Sequence, residues 1–163
     1  LNRLDVADKN AEALWIAKAE FDQAAALIAA AREDVIVRVL AAGNTVYGEP
    51  VIGRLELYAN RLIYAAGETV LAATVDVGAD GKKAEEAVMR FLQQVNARAV
   101  DKGILPDPLQ GTVGALSGAQ FFETVNKVKR AGGLVELAAV TKGDIYTAGP
   151  LQIEIKARGL PNQ

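Results

Sequence analysis

The stretch VIGRLELYANRLIYAAGETVLAATVDV, residues 51–77, decides the fold. Val51, Gly53, Leu55 and Leu57 alternate with Ile52, Arg54, Glu56 and Tyr58, so one face is apolar and the other carries charge. A two-residue rhythm of this kind marks a half-buried antiparallel strand. Ala59-Asn60 falls where a two-residue reversal fits, because Asn tolerates the left-handed backbone such turns require. Arg61 to Tyr64 returns, Ala66-Gly67 interrupts, and Thr69 to Val77 runs on as a further strand. The expectation is a three- or four-stranded meander punctuated by glycines.

Upstream, Val35 to Leu40 is a β-branched, mostly apolar run, an interior strand that Gly43-Asn44 ends. Gly48 and Pro50 bracket the turn into Val51. Before Asp34 the rhythm is helical. Residues 4–32 are alanine-rich and contain neither Gly nor Pro, which predicts one long helix. A heptad reading places Leu4, Ala7, Ala11, Leu14, Lys18, Phe21, Ala25 and Ile28 at inward positions, with Leu14, Phe21 and Ile28 as the interaction residues. The stripe fits either a helix lying on the domain or the last turns of a coiled coil.

Downstream, GADG at 78–81 is an exit turn, and a helix is expected from Lys82 to Lys102. Its inward face is Ala84, Val88, Phe91, Leu92, Val95 and Ala99. Gly103 suits the left-handed closing position, and Pro106 and Pro108 prevent resumption. The next helix opens at Ser117, which with Gln120 forms a capping box, while Leu116 and Phe121 occupy the staple positions. It runs to Ala131 and stops at Gly132-Gly133. Leu134 to Val140 is a strand, Lys142-Gly143-Asp144 interrupts, Gly149-Pro150 turns, and a last strand begins at Leu151.

The predicted class is α+β: a mixed, largely antiparallel sheet packed with helices and preceded by a long N-terminal helix. Residues 1–33 form that helix and 34–160 the globular domain. An additional strand at Thr112 to Leu116 would give a ribonuclease-H-like order; without it a two-layer sandwich is simpler.

Composition narrows the chemistry. The 163 residues hold no Cys and no His, which removes disulfides, thiolate nucleophiles, zinc–thiolate sites and imidazole acid–base catalysis. Lys and Arg number 18 against 20 Asp and Glu, a balance that disfavours a nucleic-acid-coating role. No run of 18 apolar residues is present, and residue 1 is Leu rather than Met, so the chain reads as a piece of a longer protein. Neither a cofactor nor a metal is expected.

A carboxylate-only magnesium site survives this filter, with Asp34, Asp76 and Asp107 as candidate catalytic residues and Glu85 and Asp144 beside them. Each also fits an ordinary place at a strand end, turn or first helical turn. The glycine-rich GTVGALSG could present Thr112, Ser117 and Gly118 to an anion, although no phosphate-loop lysine follows. Lys127, Lys129 and Arg130 complement the end of their helix.

The segments AAGNTVYGEPV, LELYANRLIYAAGETV, GILPDPLQGTVGALSGAQFFETV and DIYTAGPLQIEI resemble the C-terminal domain of the bacterial DUF3084 family, over roughly residues 35–158. That resemblance implies a membrane-anchored chain with a long coiled coil and this globular end, the domain itself cytoplasmic. Residues 4–32 would then be the coiled coil's last turns. The family carries no established catalytic residues. The functional expectation is an interaction or scaffold domain that forms a homo-oligomer through the N-terminal helix or a sheet edge and engages a protein partner. Alternatives are a ribonuclease-H-like metal-dependent nuclease or phosphoryl-transfer enzyme, and an anion- or small-ligand-binding domain.

Overall fold

The computed structural model describes residues 14–44, 46, 48–78 and 81–161. The chain divides between Asn60 and Arg61 into two compact units.

In the first unit, β1 (Leu14–Trp15) and β2 (Val35–Ala41) flank β3 (Val51–Ala59). β1 runs parallel to β3, and β2 pairs antiparallel from Val35↔Ala59 to Ala41↔Gly53 without a register shift. The ladder extends at both ends, through Asn60 N–H to the Asp34 carbonyl (2.8 Å) and Ala42 N–H to the Ile52 carbonyl (2.7 Å). A helix, α1 (Lys18–Ala30), follows β1.

The long helix expected over 4–32 needs correction. Residues 4–13 lie outside the described residues. Leu14–Trp15 is a strand, and helix begins only at Lys18. Alanine-rich composition is a weak prior that pairing to β3 overrides here. A Cβ at Gly53 would stand 2.8 Å from Leu14 Cδ1, so the glycine makes room for the Leu14 side chain.

The second unit is a two-layer sandwich. β5 (Thr69–Asp76), β6 (Leu134–Thr141) and β8 (Ile153–Gly159) form an antiparallel sheet in the order β5-β6-β8. α2 (Ala84–Lys102) packs on β5, and α3 (Gly118–Ala131) packs on β8 and β6. Val135, Leu137 and Ala139 of β6 meet Ile153 and Ile155 of β8 beneath Val88, Phe91, Val95 and Ala99 of α2, all buried. The opposite sheet face carries Thr74, Glu136, Lys156 and Arg158, with Glu136 opposite both Thr74 and Arg158. Apolar side chains thus occupy one face and polar ones the other, as the two-residue rhythm requires.

The strands of the opening stretch form where expected, but not as a meander. β4 (Leu62–Tyr64) pairs with β7 (Ile145–Tyr146), not with β3, and β5 pairs with β6. No hairpin closes at Ala59-Asn60. The ribonuclease-H-like order is likewise not found, because no strand forms at 112–116. That segment makes one ladder-like bond, from Leu151 N–H to the Val113 carbonyl (2.7 Å).

Two boundaries follow local rules closely. Ser117 caps α3 in a reciprocal box with Gln120, and Leu116 and Phe121 both pack on the core. Gly103 closes α2 at φ 114°, its N–H bonded to Val100 and that of Ile104 to Ala99, with Ile104 itself buried. This is the paired closure that a left-handed glycine permits.

Candidate functional site

The first unit leaves several large apolar side chains exposed. Among its described residues only Ala24 and Gly53 are buried. Leu14, Trp15, Phe21, Leu27, Ile28, Val37 and Val39 are each more than 40% exposed. On α1, Phe21, Ala25 and Ile28 recur along one stripe, and all three face outward. On the sheet, Val35, Val37 and Val39 of β2 share a face with Leu55 and Leu57 of β3. The opposite face carries the charged groups among Ile36, Leu40 and Ile52: Tyr58 donates to Glu56 (2.7 Å), Arg54 pairs with Glu56 (3.1 Å), and Arg38 lies over the Tyr58 ring. The bond to Glu56 raises the Tyr58 phenol above its ordinary range.

The edges of this sheet differ. Beyond β1, the Leu55 N–H is taken by the Glu20 carboxylate of α1 (2.6 Å), which closes that part of the β3 edge. No strand among the described residues lies beyond β2.

In the second unit, α2 and the 112–116 segment enclose a cleft of about 340 Å³. Its walls are mainly Met89, Leu92 and Val95 of α2 with Val113, Leu116 and Leu151. Asn96 fixes the segment over it: its Oδ1 accepts the Val113 N–H (3.0 Å) and its Nδ2 donates to the Gly111 carbonyl (3.5 Å). Gly114 allows the close approach, since a Cβ there would run into the carbonyl oxygen of Leu151. Leu116 and Ile153 also border a smaller polar hollow that holds Glu123, Lys127 and Lys142. Lys127 pairs with Glu123 (2.8 Å) and holds that carboxyl below its usual range.

A third cluster joins the turn 65–68 to β6 and α2. Lys102 donates to Glu68 (2.7 Å), whose other oxygen accepts the Ala65 N–H (3.0 Å). Lys102, then Ala65, hold the Glu68 carboxyl below the ordinary range. Lys102 Nζ also sits 3.9 Å from the centre of the buried Tyr64 ring. Burial pushes the Tyr64 phenol up, and its hydroxyl has no hydrogen-bond partner among the described residues. Thr141 Oγ1 donates to the Ala65 carbonyl (2.7 Å), and Asp144 accepts the Ala66 N–H (2.8 Å).

Two of the predicted carboxylates, Asp76 and Asp107, serve local turns. Asp76 accepts the Gly78 N–H (2.9 Å), and Asp107 Oδ1 accepts those of Leu109 and Gln110 (2.9 and 2.8 Å). Glu85 stands in the first turn of α2. The Asp34 carbonyl belongs to the β2–β3 ladder. Among the described residues no three acidic side chains come close enough to hold a metal ion. Of the anion candidates, Thr112 lines the apolar cleft, while Ser117 and Gly118 stand outside it. The Ser117 hydroxyl is engaged with Gln120 as both donor (3.0 Å) and acceptor (3.2 Å). Leu14, Phe21 and Ile28 are exposed, Leu14 from a strand rather than a helix.

Sequence reasoning missed Asn96, Glu20 and the buried Thr141 and Thr147. Thr147 holds the Arg61 backbone, accepting its N–H on the side-chain Oγ1 (3.1 Å) and donating its own N–H to the Arg61 carbonyl (2.9 Å). The one available signal was a polar Asn96 directly after the inward Val95.

The model of the DUF3084-associated C-terminal helical hairpin matches residues 64–159, over half of the chain, and the chain belongs to this family. The match runs from the end of β4 through the last residue of β8, within the second unit. α2 and α3, consecutive helices in contact, are the pair that the description's hairpin fits. No curated protein matches the chain, and no solved structure does. No described helix is long and apolar enough to cross a membrane.

Proposed function

We propose that this DUF3084-family chain is a scaffold domain that assembles through its first unit, at the end of a coiled-coil stalk in a membrane-anchored protein. The observation that carries the reading is the first unit's surface: large apolar side chains lie exposed, and among the described residues only Ala24 and Gly53 are buried. With no large side chain buried among its described residues, such a body gains too little from burial to offset chain ordering by itself. Oligomerisation is the usual compensation when neither disulfide nor metal is present. The second unit, with its own packed core, is the part carried by that assembly.

Light scattering over a concentration series tests the proposal on the whole chain. Self-association above monomer mass is expected, weakened by Phe21→Asp with Ile28→Asp or by Val39→Asp. A monomer at every concentration would overturn it.

A second reading rests on the cleft. Its volume of about 340 Å³ falls within the roughly 300–1,000 Å³ of small-ligand pockets. A small apolar molecule bearing one polar group would suit the wall, with Gln93 and Thr112 at hand. Proton–fluorine NMR screening of apolar fragments against the wild type and a cleft-filling Ala115→Leu variant would detect such binding and its loss.

A further inference from the structure

The free edge of β2 carries a pattern that selects its own partner. Three bonds fix the parity of the β2–β3 ladder: Asn60 N–H to Asp34, Ala42 N–H to Ile52, and Leu55 N–H turned away to Glu20. In an antiparallel pair, directly opposed residues alternate between mutually bonded and non-bonded. With Asp34 and Ala42 bonded to β3, the bonded residues of β2 are the even-numbered ones. Val39 opposes Leu55, whose N–H points elsewhere, so Val39 belongs to the non-bonded set. The N–H and carbonyl groups of Val35, Val37 and Val39 therefore point away from β3, along an edge with no described strand beside it.

Exposed edges normally carry a bulge, a proline or inward-turned charge that discourages pairing. β5 has a register shift between Thr69 and Leu71. β2 has neither a shift nor a proline, and its one charge, Arg38, lies on the face of Glu56 and Tyr58.

We infer that β2 pairs antiparallel with β2 of a second copy, about a two-fold axis at Val37, joining two three-stranded sheets into one of six strands. This rests on the self-association proposed above and names its contact. An antiparallel edge joined to itself is closed by a two-fold axis, the commonest symmetry of soluble oligomers. Centring on Arg38 would give the longest overlap but sets two guanidinium groups opposite each other, which is unfavourable. Centring on Val39 gives one Val–Val and two Val–Ala bonded pairs. Centring on Val37 gives Val37 with Val37 and Val35 with Val39 twice, all β-branched, and sets Arg38 against Ile36. Val37 and Val39 are 47% and 49% exposed, so their methyl groups are open to such contacts.

The absence of cysteine makes the test direct. Val37→Cys and Val39→Cys are prepared separately in the full chain, oxidised under mild conditions, and compared by non-reducing electrophoresis and light scattering. Opposed bonded residues have Cα atoms about 5.5 Å apart, within disulfide reach, whereas two Val39 positions would lie about 13 Å apart along the strands at about 3.3 Å per residue. Disulfide dimer is expected from Val37→Cys at least tenfold in excess of Val39→Cys. Self-association with no such excess overturns the β2 contact or its register and leaves the scaffold reading standing. A preference for Val39→Cys likewise overturns the register. A strictly monomeric chain overturns both.

Discussion

The ammonium of Lys102 lies 3.9 Å from the centre of the Tyr64 ring while it donates to Glu68 at 2.7 Å. One side chain at the end of α2 thereby ties the helix to the last residue of β4 and to the turn before β5. Lys102→Met keeps the apolar stem and removes the charge. A loss of about 0.5–1 kcal/mol is expected from the ring contact, read by urea denaturation. The partly exposed ion pair is counted as nothing because solvent screens it.

Glu68 gives that cluster a pH dependence. Its folded carboxyl titrates below the unfolded one, so its contribution is complete above the ordinary carboxylate range and is lost as pH falls through the lowered value. Between pH 6 and pH 3 the urea midpoint of the wild type should fall more steeply than that of Glu68→Gln. Parallel curves would show that Glu68 does not contribute.

Tyr64 has the opposite sign. Burial raises its phenol, so the neutral form is favoured in the fold and stability is lost as pH rises through the raised value. Tyr64→Phe removes a buried hydroxyl without a partner among the described residues and retains the ring. Stability at pH 7 is expected to stay level or rise by about 1 kcal/mol, and the alkaline limb of the wild-type curve should flatten in the variant. A loss above 1 kcal/mol would reveal a partner for that hydroxyl.

Gly114 and Gly118 separate contact from propensity. Gly114→Ala drives a methyl into the Leu151 carbonyl and should cost about 1–3 kcal/mol. Gly118→Ala meets nothing within 4 Å at the start of α3 and should be neutral or slightly stabilising. Thermal melts of the two variants should shift apart; equal shifts would refute the close approach of segment 112–116 to Leu151.

Ser117→Ala tests the capping box. Loss of the Ser117–Gln120 reciprocal bonds should cost about 1 kcal/mol. Amide hydrogen exchange should accelerate first at Gln120, whose N–H the serine oxygen holds at 3.2 Å.

What the sequence determined on its own is local. The two-residue rhythm of 51–77 specified strands, the three-and-four spacing of Ala84 to Ala99 specified the buried face of α2, and Ser117 with Gln120 specified where α3 begins. These are legible because each depends on residues within a few positions of one another. The tertiary structure alone decided which strands pair. β4 takes β7, and Leu14–Trp15 takes β3 against an alanine-rich, helix-favouring context. Pairing is a contest between distant edges, settled by bonds such as Arg61 with Thr147 across 86 residues. The outward parity of Val35, Val37 and Val39 belongs to the same class: side-chain alternation shows which face a residue occupies, but only the ladder to β3 shows which backbone groups remain at the edge.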